Sequence, residues 1–254
     1  MTHALPYVVL GRGRWARRMS DILSGEARPT VCLENTRCAP GERDDDYESR
    51  LVNSIRASGA RIAWLCVPPG PHILPMLDAV FEAGLHAVIE KPWLFSRSQT
   101  DSVLAKARAR RVIAGVHYEY CLLDGVEDMR RRSNRGTGLE FCGRFTISRP
   151  QRLPVSALED LGSHLLAIRA YAAPESSITD VRCGYERPDE RQVWLEARHQ
   201  RVFTVDFLAN QKPIIQRFIG VLEAAIEGAE FPFGLEFASQ VADGIEKLKR
   251  LGSG

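Results

Sequence analysis

Arg61-Ile-Ala-Trp-Leu-Cys-Val-Pro-Pro-Gly70, continuing through Pro71-His-Ile-Leu-Pro-Met-Leu-Asp-Ala-Val80 and Phe81-Glu-Ala-Gly-Leu-His-Ala-Val-Ile-Glu90 to Lys91-Pro92, is the stretch that decides the fold. Ile62 to Val67 is apolar and partly β-branched, the pattern of a strand buried on both faces. Pro68, Pro69, Gly70 and Pro71 break it. Pro75 to Ala83 has the spacing of a short amphipathic helix, and Gly84 suits its C-terminal cap. Ala87 to Ile89 is the next strand, and Glu90 and Lys91 stand where it runs out. Strand, helix, strand is the unit of a parallel sheet, and such sheets bind ligands just outside the carboxyl ends of their strands. Lys91 is therefore placed for chemistry, with Pro92 fixing the backbone that carries it.

Upstream, Tyr7 to Leu10 is a short apolar strand that runs into Gly11-Arg-Gly13-Arg14-Trp15-Ala16 and then into a helix over Arg17 to Leu23. This is G-x-G-x-x-A between a strand and a helix. The first glycine allows the tight turn and the second lets backbone approach a pyrophosphate. The small third residue lets helix and strand pack closely. The helix N-terminus offers free N–H groups to the phosphates. Thr30 to Leu33 is the second strand. Glu34 ends it, 23 positions after Gly11, close to the spacing of about 20 expected for an acidic residue on the adenine ribose. A carboxylate there favours NAD over NADP. Arg37, just beyond, suits a 2′-phosphate and keeps NADP open. The plainer reading of Glu34 is a solvated strand-end residue.

Glu42 to Glu48 reads as an acidic loop entering a helix over Tyr47 to Ala57. Ser98 to Arg110 reads as a helix and Val112 to Val116 as the fifth strand. Five alternations of strand and helix predict a doubly wound, mostly parallel sheet over residues 1–117. Beyond Val116 the pattern changes. Helices are expected over Leu122 to Arg132, Ser156 to Ala173, Ile214 to Glu227 and Phe237 to Lys249. Strands are expected over Leu139 to Ser148, Thr179 to Glu186, Gln192 to His199 and Arg201 to Ala209. The short connections among the last three imply antiparallel pairing. The fold class is thus α/β: an N-terminal Rossmann sheet plus a C-terminal α+β domain, residues 118–254, with a small, mainly antiparallel sheet. Its last helices can pack back on the first domain.

The 254 residues carry 34 basic and 32 acidic side chains, net charge +2, and 44% hydrophobic residues. That balance supports neither nucleic-acid nor membrane binding. No run of about 18 apolar residues occurs, and no signal peptide is seen, so a cytoplasmic protein is expected. The six cysteines form no C-x-x-C pair and no His cluster surrounds them, so neither a disulfide framework nor a metal site is expected.

Leu158-Glu-Asp160-Leu-Gly162-Ser-His164 is the second chemically dense stretch. Asp160 and His164 are spaced to share a helix face, where a carboxylate can orient an imidazole and favour its protonated form. The plainer alternative is a helix-capping Asp160 and a satisfied, half-buried His164.

The order of these motifs resembles the Gfo/Idh/MocA family of nicotinamide-dependent oxidoreductases, which includes glucose–fructose oxidoreductase and inositol dehydrogenase. The matching pieces are Gly11-x-Gly13-x-x-Ala16; Val67-Pro68-Pro69 with His72; Ala83-Gly84-Leu-His86 followed by Glu90-Lys91-Pro92; Asp160-x-Gly162-x-His164; and terminal helices beginning near Gln216-Arg-Phe. Ala167 departs from the acidic residue many members carry, and Val116-His-Tyr-Glu-Tyr120 departs from the family's usual pattern. The resemblance implies that Lys91 and His164 face nicotinamide and substrate with Asp160 beside them, and that the bond before Pro92 is cis. The expected cofactor contacts are Gly11, Gly13, Arg14, Trp15, Ala16, Glu34, Arg37, Pro68, His72 and Glu90, with Glu90 fixing backbone or local charge. Lys91 is expected to polarise a substrate oxygen, His164 to carry the proton and Asp160 to orient them. Tyr118, Tyr120, Arg149 and Arg152 are candidates for substrate contact. The expected activity is NAD(P)-dependent hydride transfer at a C–OH or C=O carbon of a small polar molecule, sugar-like or biosynthetic. Imine or ketone reduction in a biosynthetic pathway is one alternative. A nicotinamide-binding sensor or partner protein without turnover is another. A homodimer or homotetramer through the C-terminal sheet is expected, since a sheet face bare of helices needs cover.

Overall fold

The computed structural model describes residues 4–133, 140–147, 154–185, 192–197 and 200–251. The chain divides into two units, Met1–His117 and Tyr118–Gly254. The first consists of β1 (Tyr7–Leu10), α1 (Arg14–Ser24), β2 (Thr30–Leu33), α2 (Asp44–Ala57), β3 (Ile62–Leu65), α3 (Ile73–Glu82), β4 (His86–Ile89), α4 (Arg97–Arg110) and β5 (Ala114–Val116). Its strands are all parallel, in the order β2-β1-β3-β4-β5. The order reverses between β1 and β3, which is the switch point of a doubly wound sheet. Every residue of β1 and β3 is buried, as parallel strands covered on both faces require. Amphipathic α1 buries Ala16, Met19, Ile22 and Leu23 against the sheet.

Register fixes what this sheet presents. Leu10 is level with Leu33 and Leu65, Leu65 with Ile89, and Ile89 with Val116. The next residue of each strand, Gly11, Glu34, Cys66, Glu90 or His117, therefore leaves the sheet along one edge.

The four helices α1 to α4 all begin earlier than expected, α1 by three residues and α4 by one. Helix α2 starts at Asp44, within the stretch read as an acidic loop, because Asp44, Asp45 and Asp46 fill its first turn and complement the dipole. Helix α3 starts at Ile73, placing Pro75 in the first turn, where its missing N–H costs nothing. Helix α4 opens with a capping box between Ser96 and Gln99.

The second unit opens with a 3₁₀ turn, Glu119–Leu122, leading into α5 (Asp124–Ser133). There follow β6 (Glu140–Ile147), a π turn Leu158–Gly162, α6 (Ser163–Ala172), β7 (Ser177–Tyr185), β8 (Gln192–Ala197), β9 (Gln200–Asp206), α7 (Phe207–Ile226) and α8 (Leu235–Leu251). The sheet order is β7-β6-β8-β9. The pairs β6–β8 and β8–β9 are antiparallel. The expected antiparallel pairing of β7 with β8 is corrected: β7 lies parallel to β6. The reason is α6, a helical crossover between β6 and β7, the connection parallel neighbours need. Helix α7 also begins seven residues before the expected Ile214 and runs through Pro213. Phe218 of α7 stacks on Phe233 at 5.6 Å, and Phe233 meets Phe237 of α8 at 5.9 Å, an aromatic seam in this unit's core. Among the described residues no helix is long and apolar enough to cross a membrane.

Candidate functional site

Gly11 has φ +140°, and a Cβ there would stand 2.5 Å from the Cys66 carbonyl oxygen. Only glycine lets the chain turn off β1 this close to the loop after β3. Gly13 is the N-cap of α1, with φ −75° and ψ 170°, and no side chain caps it. No acidic residue occupies the first turn, and a Cβ on Gly13 would meet nothing within 4 Å. The result is a helix N-terminus with uncapped N–H groups, open space above it and no competing carboxylate. That is the environment a pyrophosphate needs. Gly13 and Arg14 are exposed, Trp15 is partly buried and Ala16 is buried under the sheet.

Glu90, at the end of β4, lies in a ring of aromatic groups. Trp64 Nε1 donates to its Oε1 at 2.8 Å, and His117 Nδ1 lies 3.1 Å from the same oxygen. The His117 ring is edge-on to Trp64 at 4.9 Å and tilted against Trp15 at 6.5 Å. Burial pushes the Glu90 carboxyl up, but the charge and contact of His117 and the Trp64 donor outweigh it. The net result lies below the ordinary carboxylate value. Glu90 thus joins the middle of β3 and the end of β5. Lys91 follows directly, and its peptide bond to Pro92 is cis, as the resemblance implies. His117 is the residue the sequence reading missed. It ends β5 as Glu90 ends β4, so the strand-end rule that singled out Lys91 also points to it.

Glu34 and Arg37 are exposed on the loop after β2. Pro68 and His72 belong to the loop after β3. The His72 ring lies 3.0 Å from where a Gly70 Cβ would be, and it hydrogen-bonds the Pro68 carbonyl. Partial burial, with help from the Arg37 charge, lowers the His72 pKa.

In the second unit Asp160 lies in the π turn and His164 in the first turn of α6, at 2% and 5% exposure. The expected helix is continuous here, with a π segment in its first half. A π turn holds more residues than an α turn and is frequent at functional sites. Gly162 permits it to approach β7: a Cβ there would be 3.4 Å from Cys183 Sγ and 2.7 Å from Leu158 Cδ1. Burial and the Asp160 charge push the Cys183 thiol up to about 12. The His164 ring packs against Tyr120 at 4.4 Å and Phe145 at 5.7 Å. Lys249 of α8 binds Glu159 at 2.8 Å, tying the π turn to the last helix. Tyr118 is wholly enclosed and edge-on to Phe237 at 5.8 Å, a core position. Arg149 and Arg152 lie outside the described residues.

No family model and no curated protein sequence matches the chain. Solved structures do. GenD2 from gentamicin A biosynthesis, in complex with NAD, superposes with a TM-score of 0.72 at 16% identity, covering 98% of this chain and 94% of that one. UDP-N-acetylglucosamine 3-dehydrogenase GnnA from Acidithiobacillus ferrooxidans gives 0.71 at 11% identity, covering 97% of each chain. An inositol dehydrogenase homolog from Azotobacter vinelandii, complexed with NADH and myo-inositol, gives 0.65 at 15% identity, covering 97% and 95%. At these identities the likeness is one of fold, and it extends over both units.

Proposed function

We propose that this chain is a nicotinamide-dependent oxidoreductase of the Gfo/Idh/MocA type, moving a hydride between NAD and a C–OH or C=O carbon of a small, polar, sugar-like substrate. One observation carries the reading. The glycine cradle after β1 and Lys91 after β4 leave the same edge of one parallel sheet, separated by β3 alone. Two strand spacings are roughly 10 Å, so phosphate binding and acid–base chemistry sit side by side. Fold neighbours crystallised with NAD or NADH support the choice of cofactor.

When bound, the nicotinamide supplies the hydride donor or acceptor. The chain does the rest. The α1 N-terminus and Gly13 hold the pyrophosphate, and Glu34 takes the adenine ribose. Lys91 polarises the substrate oxygen. His164 holds or releases the proton at an imidazole nitrogen, and Asp160 and Tyr120 keep that ring in place. The described cysteines Cys32, Cys38, Cys66, Cys121 and Cys183 are free thiols, which suits the reducing cytoplasm.

Thermal unfolding with NAD⁺, NADH, NADP⁺ and NADPH tests the binding half. A ligand at about 100 times its dissociation constant adds about 2.7 kcal/mol, a readily visible shift. Lys91→Ala tests the chemistry: it should keep the shift and lose turnover by about 10²–10⁴-fold, the range of general acid–base help. No shift with any of the four at millimolar concentration, or undiminished turnover in Lys91→Ala, would overturn the proposal.

A further inference from the structure

The loop after β2 is gripped by α2. Arg50 Nη1 donates to the Asn35 carbonyl at 3.0 Å, Tyr47 Oη to the Thr36 carbonyl at 2.9 Å, and Arg50 Nη2 to the Arg37 carbonyl at 3.0 Å. Three consecutive carbonyls are therefore held by two side chains one helical turn apart. The same Arg50 forks onto Glu42, Nε to Oε1 at 2.7 Å and Nη2 to Oε2 at 2.9 Å. Glu42 in turn accepts the Ala39 N–H at 2.8 Å, and the guanidinium lies 5.5 Å from the Tyr47 ring centre. Bonding to Arg50 holds the Glu42 carboxyl at about 2, so both partners of the fork stay charged at any working pH.

This grip falls on the segment that must choose between coenzymes. Glu34 offers a carboxylate to two ribose hydroxyls, whereas Arg37 offers a guanidinium to a 2′-phosphate. Opposite charges three residues apart discriminate only if the backbone between them is fixed. We infer that Arg50, supported by Glu42 and Tyr47, is a positioning residue for coenzyme choice, locking the backbone from which Glu34 and Arg37 meet the adenosine end of the dinucleotide. The inference rests on reading the first unit as a nicotinamide-dinucleotide domain.

The test measures dissociation constants for NAD⁺ and NADP⁺ by calorimetry on the full chain and two variants. Arg50→Lys keeps the charge but loses the fork, and Arg50→Gln/Glu42→Gln keeps the net charge but loses the ion pair. The native chain should prefer NAD⁺. Both variants should lose about tenfold of that preference, the scale of one charge-assisted contact, while the affinity for NAD⁺ itself changes much less. A preference unchanged within about twofold in both folded variants would overturn the inference and leave Arg50 a scaffold residue. Should both variants fail to fold, Tyr47→Phe carries the test. It removes one hydroxyl from the Thr36 carbonyl and should cost about threefold in preference, and an unchanged ratio overturns the inference. A native chain that binds neither nucleotide overturns the domain reading itself. One that binds both equally overturns only the role of Arg50.

Discussion

Glu90 keeps a carboxylate that is 12% exposed ionised by facing it with His117 and Trp64. The stability consequence has a definite sign. The folded value lies below the ordinary 4.5, so the contribution is complete above pH 4.5 and is lost as pH falls through the lower folded value. Glu90→Gln still accepts from Trp64 but removes the charge facing His117. The melting temperature of the native chain should exceed that of the variant by a constant margin from about pH 5 to 6, and the margin should shrink below pH 4.5. A margin that stays constant or widens into acid would show that Glu90 is not held ionised. The sequence gives Glu90 the role of fixing backbone or local charge. It does not reveal the partners, because Trp64 and His117 are brought together only by the register of β3, β4 and β5.

At the scale of elements, the strand–loop–helix of β1 and α1 separates two glycines that a motif treats alike. Gly11 sits at φ +140° with backbone 2.5 Å from any Cβ. Gly11→Ala combines about 1–3 kcal/mol of backbone strain with a clash against an atom that cannot swing away. It should lower the melting temperature sharply or abolish folding. Gly13 has an ordinary extended conformation and open space around its Cβ position. Gly13→Ala should cost only about 1 kcal/mol or less as a poorer N-cap, yet weaken nucleotide binding by about tenfold or more where backbone must approach phosphate. Calorimetric binding beside a melting curve checks both, and a Gly13→Ala protein that binds like the native chain would remove the cradle from the site. The same element was legible because periodicity and glycine spacing are local properties. What escaped was not local. The parallel place of β7 beside β6 depends on the crossover through α6, and the π turn at Asp160 comes as close to β7 as Gly162 allows, neither of which spacing encodes.

For the whole molecule, assembly turns on the sheet of the second unit. Helices α6 and α5 pack on β6 and β9. Phe141 and Phe145 of β6 are each 2% exposed, and Phe145 meets His164 of α6, which marks one side of the sheet as this unit's core. The positions alternating with them form a different row. Register aligns Arg182 of β7, Arg144 of β6, Trp194 of β8 and Thr204 of β9 across all four strands. A homodimer or homotetramer formed through this sheet is the assembly the sequence suggests. Light scattering should give two or four times the 28.4 kDa chain mass. A single-chain mass for the native protein at every concentration would place any cover for this sheet elsewhere.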